Sequence, residues 1–410
     1  MRVLVIGSGG REHALVRALR ADPDVSELHA APGNPGIAGL ARIHEVRPND
    51  PADVTRLATC LSADLVVIGP EAPLVAGVAD AVRKAGIDVF GPDAAAARIE
   101  GSKTYSKEVM AAAGIPTARS VTADTAAGAE EALQALFGPP YVVKDDALAA
   151  GKGVVVTPDL DVARRHAASC QRVVIEEYLD GPEVSLFALA DGATAVPLLP
   201  AQDFKRARDG DEGPNTGGMG AYTPLPWAPE NLTDQVMATV IQPAIDELAR
   251  RGTPYKGLLY AGLALTSQGV RVVEFNARFG DPETQVILDR LATPLAGLLR
   301  AAATGDLAAA PALRWHPGAA VTVVLAAEGY PAKPIKGDIL YYPEQTSPSL
   351  LHAGTATSSD GTLVSAGGRV LNALGSGPDL AAARAAAYQV IAQVEMRGGW
   401  YRHDIAAGKD

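Results

Sequence analysis

The chain has 410 residues, 48% hydrophobic and 20% charged, which is enough apolar content for ordinary buried cores in two to four domains. A formal net charge of −11 argues against sequence-independent nucleic-acid binding, which needs a basic face, and leaves small anions as partners where cations and N–H groups gather locally. The two cysteines, Cys60 and Cys170, lie far apart without CxxC spacing, against a disulfide framework or a structural zinc site. No apolar run reaches the roughly 18 residues of a membrane span. MRVLVIG opens in a strand pattern with no signal core, so a cytoplasmic protein with no membrane or nucleic-acid partner is expected.

Residues 1–100 alternate apolar β-branched runs (3–6, 65–68, 87–90) with Ala-rich helical stretches such as 12–20 and 75–85. That order predicts a doubly wound parallel sheet, with ligands outside the carboxyl ends of its strands. Two loops fall there: Gly7-Ser8-Gly9-Gly10-Arg11-Glu12-His13 and Gly69-Pro70-Glu71-Ala72-Pro73. The first fails the dinucleotide fingerprint, having Glu12 at its sixth position and Glu27 ahead of the 28–31 strand rather than an acid at that strand's end. It remains a possible phosphate cradle or a plain tight turn.

From about 101 the texture changes to α+β. A 103–113 helix stops at Gly114-Ile115-Pro116, and a compact unit follows: strands 141–144 and 153–156, helix 160–169, strand 172–176. Residues 181–300 alternate paired strands (184–190, 257–265, 270–275) with helices, and a last α+β segment ends in a 380–395 helix.

Four constellations carry chemistry. Lys144 ends a strand before Asp145-Asp146-Ala147-Leu148-Ala149-Ala150-Gly151-Lys152-Gly153, a small-residue loop whose N–H groups and lysines suit phosphate; the plain alternative is a solvated hairpin. Val173-Val174-Ile175-Glu176-Glu177 runs an apolar strand into two acids, which ligand donors or simply water would satisfy. Glu274 and Asn276 lie two apart on a strand, so they share a face as a hard-oxygen pair for Mg²⁺, and Arg278 continues that face toward a phosphate. The bland reading pairs Glu274 with Arg278. Finally, 213–222 (GPNTGGMGAY), after Gln202-Asp203-Phe204-Lys205-Arg206, is too Gly-rich for helix or strand and reads as a long ordered loop.

Taken in order, these stretches resemble the glycinamide ribonucleotide synthetase family of the ATP-grasp superfamily, along nearly the whole chain. VLVIGSGGREHAL, APGNPG, GPEAPLVAGV, EGSK, IPTA, LAAGKGV, EEYLDGPEVS, QDFKR, GPNTGGMGAY, EFNARFGDPETQ, HAGT and GGRVL carry the likeness. The resemblance implies four parts: an N-terminal domain (1–100), a larger ATP-grasp domain (101–118 and 179–310), a lid (119–178) and a small C-terminal α+β domain (311–410). It implies that Lys103, Lys144 and Lys152, the last between Gly151 and Gly153, meet ATP phosphates. Glu176, Glu177, Tyr178 and Leu179 would surround adenine, Glu183 the ribose, and Glu274 with Asn276 would ligate Mg²⁺ or Mn²⁺. Arg278, Lys205 and Asp203 would be catalytic. Gly9, Gly10, Arg11, Glu71, Gly280 and Asp281, together with Asp203 and Lys205, would serve the phosphoribosylamine side.

The implied reaction joins glycine to 5-phosphoribosylamine through glycyl phosphate, releasing ADP and phosphate, in a monomer or weak dimer of the purine pathway. Two departures from the family pattern stand out: Asp145 and Ala147 in the K-A-D-G-L-A-A-G-K-G stretch, and a short segment between 156 and 173. An ATP-grasp ligase with another acceptor, and a catalytically impaired paralogue, are the alternatives.

Overall fold

A computed structural model describes residues 1–135, 137–147 and 153–409. Leu148 to Lys152, and with them the Gly151 and Lys152 assignments, lie outside the described residues.

The N-terminal alternation closes as predicted into a five-stranded parallel sheet, in the order Arg42–Ile43, Glu27–Pro32, Arg2–Gly7, Leu65–Ile68, Asp88–Phe90. Both of its faces are buried, as a doubly wound sheet requires. Val3 and Val5 pack with Leu15 and Leu19 of the Gly10–Arg20 helix, whereas Leu4 and Ile6 join Val54, Val78 and Val82 on the other face. The expected 75–85 helix is two helices, Glu71–Val75 and Val78–Lys84, separated where Gly77 takes a φ of 82°. A left-handed residue stops one helix and starts the next.

A four-stranded antiparallel sheet follows, ordered Ser120–Ala123, Val173–Glu176, Tyr141–Asp145, Val154–Thr157. With the Ala126–Ala135 and Leu160–Ser169 helices it closes its own small core around Leu133, Val143 and Ile175. The larger antiparallel sheet, ordered Ala195–Pro197, Glu183–Asp191, Lys256–Thr266, Gly269–Asn276, belongs to the main core. A parallel bridge between Thr117 and Val272 ties the segment entering the small sheet to that larger one.

The predicted loop at 213–222 is mostly strand, with a short connection at 216–219. Glu212–Asn215 pairs with Arg206–Arg208, and Gly220–Thr223 is a fully buried strand beside Ala319–Ala326. Its glycine is what close approach demands: a Cβ at Gly220 would sit 2.6 Å from the Thr322 carbonyl oxygen. The last sheet therefore runs Gln202–Asp203, Gly220–Thr223, Ala319–Ala326, Arg369–Gly377, Leu350–His352, and takes two strands from chain well before residue 311. The final helix ends at Ile391, and Glu395–Met396 pairs with Leu340–Tyr341 instead of extending it. Among the described residues no helix is long and apolar enough to cross a membrane.

Candidate active site

Lys144 sits in the central part of the small sheet, paired in register with Val174 and Val154, so its buried ammonium points out of the sheet toward the larger one. There it donates to the Val273 carbonyl at 3.0 Å and meets Glu176 Oε2 at 2.8 Å. Glu176 is itself buried, and its other oxygen is 3.0 Å from Lys107 Nζ. Burial alone would lower the Lys144 pKa, but Glu176 and Glu274 outweigh it and hold the ammonium above its ordinary range. Burial prevails at Lys107, helped by Lys144, and pushes that pKa down. Burial opposes ionisation of Glu176 as well, yet the two lysines keep its pKa below normal.

Lys103, one turn earlier on the Lys103–Ala112 helix, donates to the carbonyls of Asp145 (2.7 Å) and Ala147 (3.2 Å). Asp145, the residue that departs from the family pattern, turns its carboxylate to its own loop and accepts from Ala147 N at 3.3 Å. Gly153 is buried and its carbonyl accepts from Asp145 N at 2.8 Å. Glu177 is engaged by Arg119 (2.6 Å) and Arg271 (3.1 Å). Tyr178 is 51% exposed, and Leu179 half-buried beside it. Glu183 meets Lys205 at 3.0 Å, and Lys205 meets Asp203 at 2.6 Å. Burial raises the Asp203 pKa, whereas Asp203 and Glu183 overcome burial to lift Lys205 well above the usual lysine range.

On the Gly269–Asn276 strand the period of two puts Glu274 and Asn276 on one face, with Asn276 Nδ2 3.4 Å from Glu274 Oε1. Arg278 does not pair with Glu274. Its guanidinium bridges Glu71 (3.2 Å) and Glu100 (3.1 Å), joining the loop after Leu65–Ile68 to the Ala94–Gly101 helix. Those two acids keep Arg278 fully cationic against burial, while burial lifts Glu100. Arg11 shares the Phe279 carbonyl at 3.0 Å and lies 4.0 Å from Glu71. Glu12 accepts from the Gly9 N–H at 2.6 Å, so the acid that breaks the dinucleotide fingerprint occupies one N–H of that loop. Gly10 is packed against Asn372 and Gln285 with no room for a side chain.

A Cβ at Gly280 would lie 2.6 Å from Glu283 Oε2. Buried Glu283 accepts from Ser185 Oγ at 3.2 Å, and burial together with Asp203 lifts its pKa to about 7. Asp281 meets Arg369 at 3.1 Å, and the same guanidinium donates to the Gly217 and Asp281 carbonyls at 2.6 Å each.

Three groups thus assemble from the predicted residues: Lys103, Lys144 and Glu176; Arg278, Glu71 and Arg11; and Asp203, Lys205 and Glu183. Sequence reasoning missed Lys107, Glu100, Glu283 and Arg369. Lys107 is one helical turn from Lys103, a spacing that places both on one face. Glu100 opens EGSK and Arg369 lies in GGRVL, both quoted above without a role.

Family models cover almost the entire chain: the phosphoribosylglycinamide synthetase N domain at 1–100, its ATP-grasp (A) domain at 101–284 and its C domain at 320–408. The chain belongs to the phosphoribosylglycinamide synthetase family. It is 62% identical over 413 residues to the phosphoribosylamine–glycine ligase of Streptomyces coelicolor, covering 99% of each, and 57% identical to that of Mycobacterium leprae, covering 99% of this chain and 97% of the relative. The crystal structure of the Thermotoga maritima phosphoribosylamine–glycine ligase superposes with a TM-score of 0.85 at 35% identity, covering 99% of this chain and 100% of the other. A biotin carboxylase domain from Hydrogenobacter thermophilus, crystallised with MgADP and bicarbonate, shares the fold alone at 17% identity and a TM-score of 0.74, covering 98% of this chain and 91% of that one.

Proposed function

We propose that these residues perform the ligation of glycine to 5-phosphoribosylamine with ATP, giving glycinamide ribonucleotide, ADP and phosphate. The observation that carries the reading is Lys144, a buried cation reaching from the small sheet to the strand that bears Glu274, within the segment matched by the ATP-grasp (A) domain. The division of labour follows the ranges given above: lid 119–178, larger domain 101–118 and 179–310, N-terminal domain 1–100 and C-terminal domain 311–410.

Lys103 and Lys144 hold the phosphates, and the assignment of Lys152, between Gly151 and Gly153, to the same phosphates goes with them. Adenine lies by Glu176 to Leu179, with recognition falling to the backbone there, since the Glu176 and Glu177 carboxylates already have cationic partners. Glu274 and Asn276 fit Mg²⁺ or Mn²⁺: a carboxylate and an amide share one face of the strand, the amide now turning its Nδ2 to Glu274, and with the amide turned over its Oδ1 would join the carboxylate as a hard-oxygen pair, leaving the remaining positions to water and phosphate. Bound there, the cation would neutralise charge on the β- and γ-phosphates.

Arg278 orients the glycine carboxylate, one oxygen of which attacks the γ-phosphorus as the bond to ADP breaks. The phosphoribosylamine nitrogen then attacks the acyl carbon of glycyl phosphate, phosphate leaves with the C–O electron pair, and the amine proton is lost. Gly9, Gly10, Arg11, Glu71, Asp203, Lys205, Gly280 and Asp281 line the acceptor side. Alignment and charge stabilisation supply most of the acceleration, and a closed lid keeps water from the acyl phosphate.

The test is ADP release with MgATP, glycine and fresh 5-phosphoribosylamine, each omitted in turn. ADP should form only with all three, with product of the glycinamide mass. ADP release that ignores glycine would reject the reading.

A further inference from the structure

Three ionic groups meet where the chain enters the small sheet: Lys107 on the helix before it, Glu176 at the end of one of its strands and Lys144 on the next. All three side chains are close to dry, at 13%, 4% and 5% exposure respectively. Lys107 is fixed independently of Glu176, donating to Thr117 Oγ1 at 2.9 Å and the Ala118 carbonyl at 3.0 Å in the segment that leads into the lid. Within contact distance two ammonium groups share one carboxylate, so the three-group cluster carries a net positive charge, set against the Glu274 and Glu183 carboxylates that act on Lys144 from the larger sheet at longer range. Without Lys107 the remaining Lys144–Glu176 pair would be neutral, and a phosphate would have to compete with Glu176 for Lys144.

We propose that Lys107 is a positioning residue for nucleotide binding, which occupies half of the Glu176 carboxylate and so leaves the Lys144 ammonium available to ATP phosphate. This rests on the reading that Lys144 contacts phosphate. Lys107 touches no substrate; it acts through Glu176, and through Thr117 and Ala118 it couples that charge balance to the segment entering the small sheet.

The experiment is calorimetric titration of the full-length protein with MgADP, alongside steady-state kinetics and melting curves. Lys107→Gln keeps a hydrogen-bonding side chain and removes the charge. It should weaken MgADP about tenfold or more, the equivalent of a single displaced charge-assisted contact, and raise the KM for ATP while leaving that for glycine unchanged. Lys107→Arg should stay near wild type. The double variant Lys107→Gln/Glu176→Gln should recover affinity relative to Lys107→Gln, because the competitor for Lys144 has lost its charge; a purely structural Lys107 would not produce that recovery. Wild-type affinity in Lys107→Gln, or a double variant no tighter than Lys107→Gln, would overturn the proposal. Lys144→Met separates the two levels: unchanged MgADP binding there would reject the phosphate role of Lys144 itself, whereas loss in Lys144→Met with none in Lys107→Gln would reject only Lys107.

Discussion

The two ends of the site are built from different materials. Around Lys144, ion pairs join the small sheet to the helix before it and to the larger sheet: Lys107–Glu176–Lys144 at 3.0 and 2.8 Å, and Arg119–Glu177–Arg271 at 2.6 and 3.1 Å. Where the N-terminal sheet meets the C-terminal one, neutral groups dominate. Asn34 Nδ2 donates to the carbonyls of Ser8 (2.9 Å) and His352 (3.0 Å), and the His352 N–H donates to His13 Nδ1 at 2.7 Å. Burial, with the charge of His352, pushes His13 down to about 3, and burial alone takes His352 to about 4, so both imidazoles are neutral near pH 7. Ion pairs can be re-partnered by a polyanion and broken as a lid opens. Short neutral hydrogen bonds between buried groups lock one geometry and repay nothing when separated. Ion pairs dominate the junction of the small sheet with the larger one, and neutral hydrogen bonds that of the N-terminal sheet with the C-terminal one.

The contrast can be broken most sharply at Arg278, which stands between the two ends. Arg278→Met should lower kcat/KM for glycine about 10³-fold and cost about 3–5 kcal/mol of stability, since Glu100 and Glu71 lose their partner; the ADP assay and urea unfolding measure both. At the neutral junction Asn34→Ala should cost about 2–3 kcal/mol, because it strips three hydrogen bonds including the helix cap to Ile37 N at 2.9 Å. Its MgADP affinity should not move, and a large change would erase the distinction drawn above.

The histidine pair adds a pH signature. Folded values of about 3 and about 4 lie below the ordinary histidine value of about 6.5, so the folded state binds fewer protons than the unfolded one through that window. Their stabilising contribution is therefore complete above pH 6.5 and declines as pH falls toward 4. At pH 5 it should have fallen by about 1–2 kcal/mol per histidine, read from urea midpoints at pH 7.5 and pH 5. A His352→Asn variant should flatten that slope. The smallest effect belongs to Glu177→Gln, where Arg119 is 75% exposed: under about 1 kcal/mol in thermal unfolding.

Much of this was legible in the order of residues, and the limits have physical reasons. Apolar runs at 3–6 and 65–68 announced a sheet buried on both faces, and the alternation of Glu274 with Asn276 put both on one face before any fold was known. The strand Gly220–Thr223 was hidden because its glycine answers to Thr322, a hundred residues on, rather than to any local preference. Lys107, Glu176 and Lys144 were hidden for the same reason. Ion pairs across three elements leave no spacing in the sequence, so nothing in it announced that the Glu176 carboxylate meets two lysines. The pairing of Arg278 with Glu71 and Glu100, not Glu274, likewise needed the packing of three distant segments.

Hydrogen exchange of the full-length protein with and without MgADP tests the central claim, that nucleotide lies between the ionic lid strands and the Glu274 strand. Protection on nucleotide addition should fall in Tyr141–Asp145, Val173–Glu176 and Gly269–Asn276, and leave Glu27–Pro32 and Leu350–His352 unchanged. Protection confined to the Asn34–His352 junction, with none in the lid strands, would contradict it.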